Sequence, residues 1–493
     1  MAVAPPPTTT ITTSSVIPYE GDDPLTLALA PPPDETAEQK EQREAAEAEA
    51  QRRSDEIDEQ IQKERELERR KKRPVKLLLL GQSESGKTAT LKNFQLTYAR
   101  REWTEERLLW KSVIFFNLVR NVNDILEILA QEMSRSATTL ADSNSDDSSA
   151  DESPIVPLKF KETHRLLKLR LGPLRRIQTD LERRLGNAAI ELKTTDVMTA
   201  APFGKPAVNE FSINATNGWK TAFDKLKSMR RPEMGALQQM KDEEDEIADV
   251  VAGCREDMKA IWEDPVIREM LARRRDRIED SPGFFLNDAE RIAVRNYQPT
   301  DDDIIRARLR TLGVQEYRFI FDHGRTVGQE WRLYDVGGTR SSRAAWYPYF
   351  DDVDAIIFLA PISCFDEKLA EDRRVNRLED SYMLWKSVCA CKLLSRTQII
   401  LFLNKCDLLQ AKLARGVKIR DFVPSYGDRA NNLAMATKYF QQHFREISRQ
   451  NSPVQRPFYV HMTSVIDTRS TAATLGAVEE SILRDHLRRA DLM

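Results

Sequence analysis

The sequence has few cysteines, no long apolar run and almost no excess of charge of either sign. Its five cysteines are scattered and odd in number, which argues for a reducing compartment and against a disulfide framework. The longest apolar runs, such as residues 399–403, fall far short of the roughly 20 residues that cross a bilayer. Lys and Arg total 75 against 78 for Asp and Glu, so the net charge of −3 gives no signal for nucleic-acid binding.

Changes of composition divide the 493 residues into segments, and about three domains are expected at roughly 150 residues each. Residues 1–34 are rich in Pro and Thr and lack the basic start and apolar stretch of a signal peptide, so we predict a disordered tail on the cytosolic side. Residues 35–73 switch to strong helix formers, and Pro74 ends the predicted helix. Ile57 and Ile61 give this helix only a thin apolar stripe, so it is either a solvated helix or a docking surface for a partner.

Short apolar runs predict a β-sheet. The first run, residues 75–80, suits a buried parallel strand and ends at a glycine. Helical stretches separate most of the later runs, and this alternation predicts a βαβ architecture with a mostly parallel sheet. The later runs are residues 316–321, 331–334, 355–359, 397–403 and 458–462.

No comparable series of strands occurs between residues 91 and 305, where helical patterns dominate. We therefore predict an all-α domain, residues 97–305, inserted into a sheet domain formed by residues 74–96 and 306–493. Residues 134–153 are mostly Ser, Asp and Ala and cannot bury a core, which favours a loop over a phosphorylation-controlled segment. The predicted helices of the insert are residues 108–133, 162–192, 218–241 and 243–278.

The sharpest motif, Gly81-Gln82-Ser83-Glu84-Ser85-Gly86-Lys87-Thr88, fits the pattern G-x-x-x-x-G-K-[ST] between a strand and a helix. Backbone N–H groups of such a loop bind a phosphate chain, and small residues let the loop wrap closely around it. We expect Lys87 to neutralise the β- and γ-phosphates and the Thr88 hydroxyl to bind Mg²⁺. The pattern arises by chance in roughly one chain in a hundred of this length, so a glycine turn with a surface lysine is the weaker interpretation. The nucleotide-binding residues assigned here are Glu84, Ser85, Gly86, Lys87, Thr88 and Ala89.

A second motif, Asp335-Val336-Gly337-Gly338, directly follows the run 331–334. An Asp at the end of a strand can hold Mg²⁺, and Gly338 lets a backbone N–H approach the γ-phosphate. Alone, such a motif is usually a turn. Downstream of the phosphate loop it indicates the second part of a nucleotide site.

A third motif, Asn404-Lys405-Cys406-Asp407, follows the run 397–403 and predicts recognition of a guanine base. The Asp407 carboxylate can accept two hydrogen bonds from the N1–H and the exocyclic amine of guanine, which adenine lacks, and so would select GTP over ATP. Asn404 would brace the loop, and the stem of Lys405 would lie over the base. After the last predicted strand, the backbone N–H of Val465 would contact the guanine carbonyl, an assignment that depends on position in the chain.

These elements, in this order, resemble a Ras-like GTPase, and further stretches narrow the resemblance to the α subunits of heterotrimeric G proteins. The resemblance covers residue 56 to the C-terminus, except for a family-atypical segment at about residues 134–243. It implies an α/β fold: a Ras-like P-loop domain with a mostly parallel sheet, an inserted all-α domain and an N-terminal helix that binds a partner. The stretches that carry it are residues 285–288, 303–313, 369–378 and 399–405.

The same resemblance assigns further roles. Arg308 matches the family's built-in arginine finger, which stabilises charge on the transferring phosphoryl group. Thr311 would complete the Mg²⁺ shell, and Ile305 and Arg306 would border the ribose. Glu84 would hold Arg308 in an ion pair in the resting state. The implied catalytic residues are Arg308, Thr339 and Lys87, and the implied Mg²⁺ ligands are Thr88, Thr311 and Asp335.

Two departures from the family fall at the chemistry. Thr339 stands where the family has the glutamine that orients the attacking water, and Ser83 stands where the family usually has glycine. We therefore expect the chain to bind GTP well and to hydrolyse it slowly. The loss of water positioning would cost on the order of 100-fold, from a family rate of only ~10⁻² per second.

The N-terminus departs from the family as well. Residue 2 is Ala, and no cysteine precedes Cys254, so neither myristate nor palmitate is expected there. The basic residues 69–73 could bind an anionic leaflet or simply complement the end of a helix. We expect an indirect membrane contact, in which a lipidated βγ dimer or a receptor holds the cytoplasmic chain at the inner face of the plasma membrane.

Two functions from different classes fit these residues. In the first, GDP-bound chain holds a G-protein βγ dimer through residues 35–73 and the second switch, residues 339–346. A G-protein-coupled receptor releases GDP, GTP orders the switches toward an effector, and hydrolysis resets them with a GTPase-activating regulator. In the second, the chain is a GTP-loaded binding module with negligible hydrolysis that acts as a signalling scaffold. A P-loop kinase or ATPase is a weaker alternative, because Asp407 selects guanine.

Overall fold

A computed structural model describes residues 36–70, 74–142, 158–185, 234–274, 278–309 and 313–489. The chain divides into two compact units, Met1–Lys72 and Arg73–Met493. In the first unit the described residues form helix α1, Ala37–Arg70, as the composition predicts. Ile57 and Ile61 are exposed on it, so its thin apolar stripe faces solvent.

The second unit is built on one six-stranded sheet with the order β2-β3-β1-β4-β5-β6. Strands β3, β1, β4, β5 and β6 run parallel, and β2 pairs with β3 in the antiparallel sense. All six predicted strands and the mostly parallel sheet are confirmed. The strands are β1 Val75–Gly81, β2 Val314–Ile320, β3 Glu330–Val336, β4 Ala355–Pro361, β5 Gln398–Asn404 and β6 Tyr459–Met462.

Helices cover both faces of the sheet, because successive side chains of a strand point to opposite sides. Leu77 and Leu79 of β1 belong to one buried cluster, with the first helix after β1 and the last helix of the chain. Leu78 and Leu80 belong to the cluster on the other face. The helices around the sheet are α2 Lys87–Tyr98, α11 Arg377–Ala390, α12 Cys406–Ala414, α13 Leu433–Asn451 and α14 Thr468–Arg489.

A third core joins the helices between residues 100 and 309. Its main axis is the long helix α3, Arg100–Asp142. This helix continues through residues 134–142, so that part of the predicted loop is helical, and residues 143–153 lie outside the described residues. The remaining helices here are α4 Glu162–Arg170, α5 Leu174–Leu185, α6 Met234–Gly253, α7 Arg255–Glu263, α8 Pro265–Arg274, α9 Ala289–Ile292 and α10 Asp301–Arg306.

Two long predicted helices are interrupted. The helix predicted over 162–192 breaks at Gly172 and Pro173, and residues 186–192 lie outside the described residues. The helix predicted over 243–278 breaks at Cys254 and again at Asp264, where Pro265 lacks the N–H that a continuous helix needs.

The helix predicted over 218–241 is seen only from residue 234, as part of α6, and the predicted tail 1–34 also lies outside the described residues. The boundaries drawn for the inserted domain stay a prediction. Among the described residues, no helix is both long and apolar enough to cross a membrane.

Candidate functional site

One cleft collects the motif residues at the carboxyl ends of the parallel strands. Of the residues assigned to the site from the sequence, all but Asp335 and Thr311 line it. Asp335 is buried just behind the lining, and Thr311 lies outside the described residues. One wall, residues 279–284, comes from a segment that the sequence analysis did not assign. The lining segments are 83–89, 279–284, 305–309, 336–339, 404–405, 407–408 and 464–466.

The phosphate loop joins β1 to α2 and wraps tightly. Gly81 and Gly86 have φ values of +145° and +102°. A Cβ at Gly86 would come within 2.4 Å of the Asn404 side-chain nitrogen, so this turn needs glycine. The loop leads into the N-terminus of α2, and an N-terminus with its unbonded N–H groups attracts anions.

Lys87 is buried at the start of α2. Its Nζ donates to the carbonyl oxygens of Gly81, at 2.9 Å, and Gln82, at 2.6 Å. Burial lowers the pKa of Lys87 to about 8, while the nearby carboxylate of Asp335 opposes that shift. The ammonium is therefore held by loop carbonyls inside the cleft, where a phosphate chain would offer it a stronger acceptor.

Thr88 and Asp335 place two hard oxygen ligands side by side. The Thr88 hydroxyl donates to Oδ2 of Asp335 at 2.6 Å. The pairing of β1 with β3, with Leu79 opposite Asp335, brings the two motifs to the same place. Hydroxyl and carboxylate oxygens suit Mg²⁺, which keeps several waters and phosphate oxygens in place of a full protein cage. The described parts of the chain hold no group of three or more His, Cys, Asp or Glu arranged for a metal.

The second motif lies directly against the phosphate loop. A Cβ at Gly338 would come within 2.3 Å of both the Gln82 carbonyl carbon and the Ser83 nitrogen, so a larger residue would force the two backbones apart. The hydroxyl of Thr339 donates to Ser342 Oγ at 2.9 Å, at the start of the 3₁₀ segment Arg340–Asp352. The short Thr339 side chain is thus engaged within its own segment.

Arg308 and Glu84 form the ion pair expected from the sequence, with 2.9 Å between Nη1 and Oε1. Glu84 also lies 3.4 Å from Arg377, whose guanidinium donates to the Ser83 carbonyl at 3.0 Å. Burial disfavours the Glu84 carboxylate, but Arg308, Arg377 and Lys405 together outweigh it and lower the pKa of Glu84 to about 2. Arg377 is a member of the site to which the sequence analysis gave no role.

The buried side chain of Asn404 joins three segments beside the phosphate loop. Its Nδ2 donates to the Ser85 carbonyl at 2.7 Å. Its Oδ1 accepts from the Thr463 hydroxyl at 3.1 Å and from the Val465 N–H at 3.3 Å. These hydrogen bonds tie Asn404 to the phosphate loop and to the segment 463–465. Asp407 lies in the first turn of α12 and lines the cleft.

Backbone strain also concentrates in this cleft. Glu84 and Lys405 have φ values of 61° and 64°, and no other described residue except glycine has a positive φ. Such conformations cost of order 1–3 kcal/mol and cluster at ligand sites.

Burial, with the charge of Arg377 acting in the same direction, lowers the pKa of Lys405.

Ile305 and Arg306 end α10 and line the cleft, and their role at the border of a ribose stays a prediction. The Arg306 guanidinium, however, bonds to Asp288 at 2.9 Å and to the Phe284 carbonyl at 2.8 Å. The charge of Arg306 therefore ties α10 to the 3₁₀ segment Leu286–Asp288 beside the cleft.

A buried network behind the phosphate loop was also missed. Gln82 donates to Asp380 Oδ2 at 2.7 Å, and Asp380 pairs with Arg343 at 2.5 Å and with Arg340 at 3.2 Å. Burial opposes the Asp380 carboxylate, but the hydrogen bond from Arg343 leads the effects that lower its pKa. The network ties the phosphate loop to the segment that follows Gly338.

The chain matches the family "G-protein alpha subunit" over residues 51–482. It is 30% identical to the guanine nucleotide-binding protein alpha-4 subunit of Mycosarcoma maydis, in an alignment that covers 96% of this chain and 96% of that protein. It is also 30% identical to the alpha-16 subunit of Caenorhabditis elegans, covering 90% of this chain and 97% of that protein. The alpha-2 subunit of Neurospora crassa is 28% identical, over 90% of this chain and 96% of its own length.

The match spans both the sheet with its motifs and the helices between residues 100 and 309, and the first two of these relatives align over 90% or more of this chain. The chain belongs to the G-protein α-subunit family, whose members are guanine-nucleotide-binding subunits of heterotrimeric G proteins and GTPases.

Proposed function

We propose that this chain is a magnesium-dependent guanine-nucleotide switch that binds GTP tightly and hydrolyses it slowly. One observation carries the proposal: Lys87, Thr88, Asn404 and Asp407 line the same cleft, and Asp335 is bonded to Thr88 behind the lining. A single guanosine triphosphate needs its phosphates and its base to be held within one such site.

At the phosphate end, Lys87 would exchange its loop carbonyls for the β- and γ-phosphates. Thr88 and Asp335, with Thr311, would hold Mg²⁺, which neutralises charge on the phosphate oxygens. At the base end, the Asp407 carboxylate would accept the two donors of guanine, and Asn404 would hold the loop that presents it. Ile305 and the stem of Arg306 would border the ribose.

Hydrolysis would depend on Arg308. Its guanidinium would leave Glu84 and stabilise the charge that develops on the transferring phosphoryl oxygens. The attacking water would lack its usual guide, because Thr339 is short and its hydroxyl is bonded to Ser342. The backbone of Ser83 lies against Gly338, and its side chain would crowd the same region. Both residues favour slow turnover.

A second candidate, a GTP-loaded binding module with negligible hydrolysis, is favoured by Ser83 and Thr339, whereas Arg308 favours a working switch. Single-turnover hydrolysis of GTP, measured beside Mg²⁺-dependent GTPγS binding, separates them. We expect wild-type hydrolysis well below ~10⁻² per second, and a gain of order 100-fold in a Ser83→Gly, Thr339→Gln double variant.

A matched control for that experiment is Thr339→Asn, whose amide is one methylene too short to take the place of glutamine. It should bind GTPγS like the wild type and show no comparable gain. A wild-type rate at the ordinary family value, with no gain in the double variant, would overturn the slow-hydrolysis proposal. A wild type that binds GTPγS and never turns over would favour the scaffold.

The partners follow from the family. A G-protein βγ dimer is the proposed partner of α1, because Ile57 and Ile61 are exposed on a helix whose other described side chains are mostly charged. A G-protein-coupled receptor would act at α14, and an effector and a GTPase-activating regulator at the segment after Gly338. The chain would reach the inner face of the plasma membrane through these partners. Co-purification of βγ with the GDP-bound chain, lost in an Ile57→Asp, Ile61→Asp variant, tests the first contact.

A further inference from the structure

A single asparagine side chain holds the backbone of Arg308. Asn117, on α3, is almost fully buried. Its Oδ1 accepts from the Arg308 N–H at 2.7 Å, and its Nδ2 donates to the Arg308 carbonyl at 2.9 Å. The oxygen and the nitrogen of the Asn117 amide therefore bond to the N–H and the C=O of the same residue. Hydrogen-bonded residue pairs in an antiparallel β-sheet show the same pattern.

The wall of the cleft is shaped around this clamp. Gly283 has a φ of +79°, and a Cβ there would come within 2.9 Å of Asn117 Oδ1 and 3.0 Å of Arg308 Cβ. Asn121, one turn along the same face of α3, accepts from the Phe285 N–H at 2.9 Å. Helix α3 therefore holds two other segments of the chain by hydrogen bonds to their backbones. Asn117 holds the segment that contains Arg308.

The clamp acts on a stretch of backbone outside the helices and strands. Helix α10 ends at Arg306, and residues 307–309 belong to no helix or strand. The Arg308 side chain is long and one-quarter exposed, so the direction of its Cα–Cβ bond sets which oxygens the guanidinium can reach. A shift of about 1 Å in such a group can cost 10²-fold in rate.

We propose that Asn117 is a positioning residue for hydrolysis, which acts by fixing the backbone of Arg308. The proposal rests on the proposed function, because it takes Arg308 as the group that stabilises the transferring phosphoryl group. Asn117 acts on the cleft through the Arg308 backbone, beside Gly283, so its loss should lower the rate of the chemical step and leave GTPγS affinity nearly unchanged.

The first experiment compares Asn117→Ala and Asn117→Asp with the wild type in single-turnover GTP hydrolysis and in GTPγS binding. Asp keeps the acceptor for the Arg308 N–H but sets an oxygen against the Arg308 carbonyl. Both variants should hydrolyse GTP roughly 10- to 100-fold more slowly, with GTPγS dissociation constants within about threefold of wild type. A loss of GTPγS affinity equal to the loss of rate would overturn the proposal.

Asn121→Ala is the matched control, because it removes the same kind of backbone bond from the same helix without touching Arg308. Its hydrolysis rate should stay within about threefold of wild type. Thermal melting of the GDP-bound proteins shows that each variant folds. An Asn121→Ala rate as low as that of Asn117→Ala would assign the effect to the helix in general and overturn the specific role of Asn117.

A double-variant cycle with Arg308→Ala separates the two levels of the argument. If Asn117 acts through Arg308, then Asn117→Ala should slow hydrolysis little further once Arg308 is gone. Fully additive losses would overturn the positioning role and leave Arg308 in place. An Arg308→Ala variant that hydrolyses GTP at the wild-type rate would instead overturn the proposed function of Arg308, and the inference with it.

Discussion

Replacing Asn404 with Asp tests how the loop that begins at Asn404, the predicted base loop, is joined to the phosphate loop. The two side chains have the same shape, so Oδ1 can still accept from Thr463 and Val465. The donor to the Ser85 carbonyl becomes an acceptor, and two oxygens then face each other at a site where the present distance is 2.7 Å. The variant therefore removes one hydrogen bond between the base loop and the phosphate loop.

The size of the effect follows from burial. Asn404 is fully buried, and leaving a buried carbonyl without its donor costs about 1–3 kcal/mol, to which the added carboxylate contributes further. At 1.4 kcal/mol per factor of ten, we expect GTPγS affinity to fall by at least about tenfold. Equilibrium binding of a fluorescent GTPγS to purified protein measures the change, and thermal melting reports any loss of folding.

Thr463→Val is the graded control, because it removes only the hydroxyl donor to Asn404. One neutral hydrogen bond is worth about 1 kcal/mol, so its affinity should fall by about fivefold. An Asn404→Asp variant that binds GTPγS within twofold of wild type, at an unchanged melting temperature, would refute the joining role of this side chain.

Two further predictions concern buried charges near the cleft. Lys92 donates to the carbonyls of Ile304 and Ala307 at 2.8 and 2.7 Å, so Lys92→Met should lower the free energy of unfolding by about 2 kcal/mol in a denaturant titration. An unchanged midpoint would contradict this. For Glu84, the pKa falls from 4.5 to about 2, so the stability that its charge contributes is complete above pH 4.5 and is lost as the pH falls through 2. With allowance for partial exposure, Glu84→Gln should lower the free energy of unfolding by about 1–2 kcal/mol at pH 7. A difference in stability between wild type and variant that persists at pH 2 would argue against Arg308 as the partner of Glu84.

The sheet and the three motifs could be predicted because their signals are local. Each buried strand is a short apolar run, and each motif begins where a run ends, so the parallel arrangement brings the motif residues to one edge. Gly172-Pro173 and Pro265 are also local signals for the end of a helix. The long helical patterns around them nevertheless favoured continuous helices over 162–192 and 243–278. Helix α3 extends beyond the end of its apolar stripe, because its last turns, from residue 134, are explained by helix propensity alone.

The supports of the site could not be predicted in the same way. Asn117 and Arg308 are 191 residues apart, Ser83 and Arg377 are 294 apart, and Gln82 and Asp380 are 298 apart. An asparagine or glutamine in a helix or loop usually faces solvent, and nothing in its neighbours marks it as buried. Only the packing of α3 and α11 against the cleft turns these side chains into braces for the phosphate loop and for Arg308.

The most direct test of the central claim is the competition of GTP and ATP for the cleft. Fluorescent GDP bound to the purified full-length chain would be displaced by each nucleotide, with Mg²⁺ present and then removed with EDTA. We predict that GTP displaces the label at concentrations at least ~10³-fold lower than ATP, because Asp407 would be left unpaired by adenine, and that removal of Mg²⁺ weakens GTP binding. Equal displacement by the two nucleotides, or binding of GTP that ignores Mg²⁺, would contradict the assignment of this cleft.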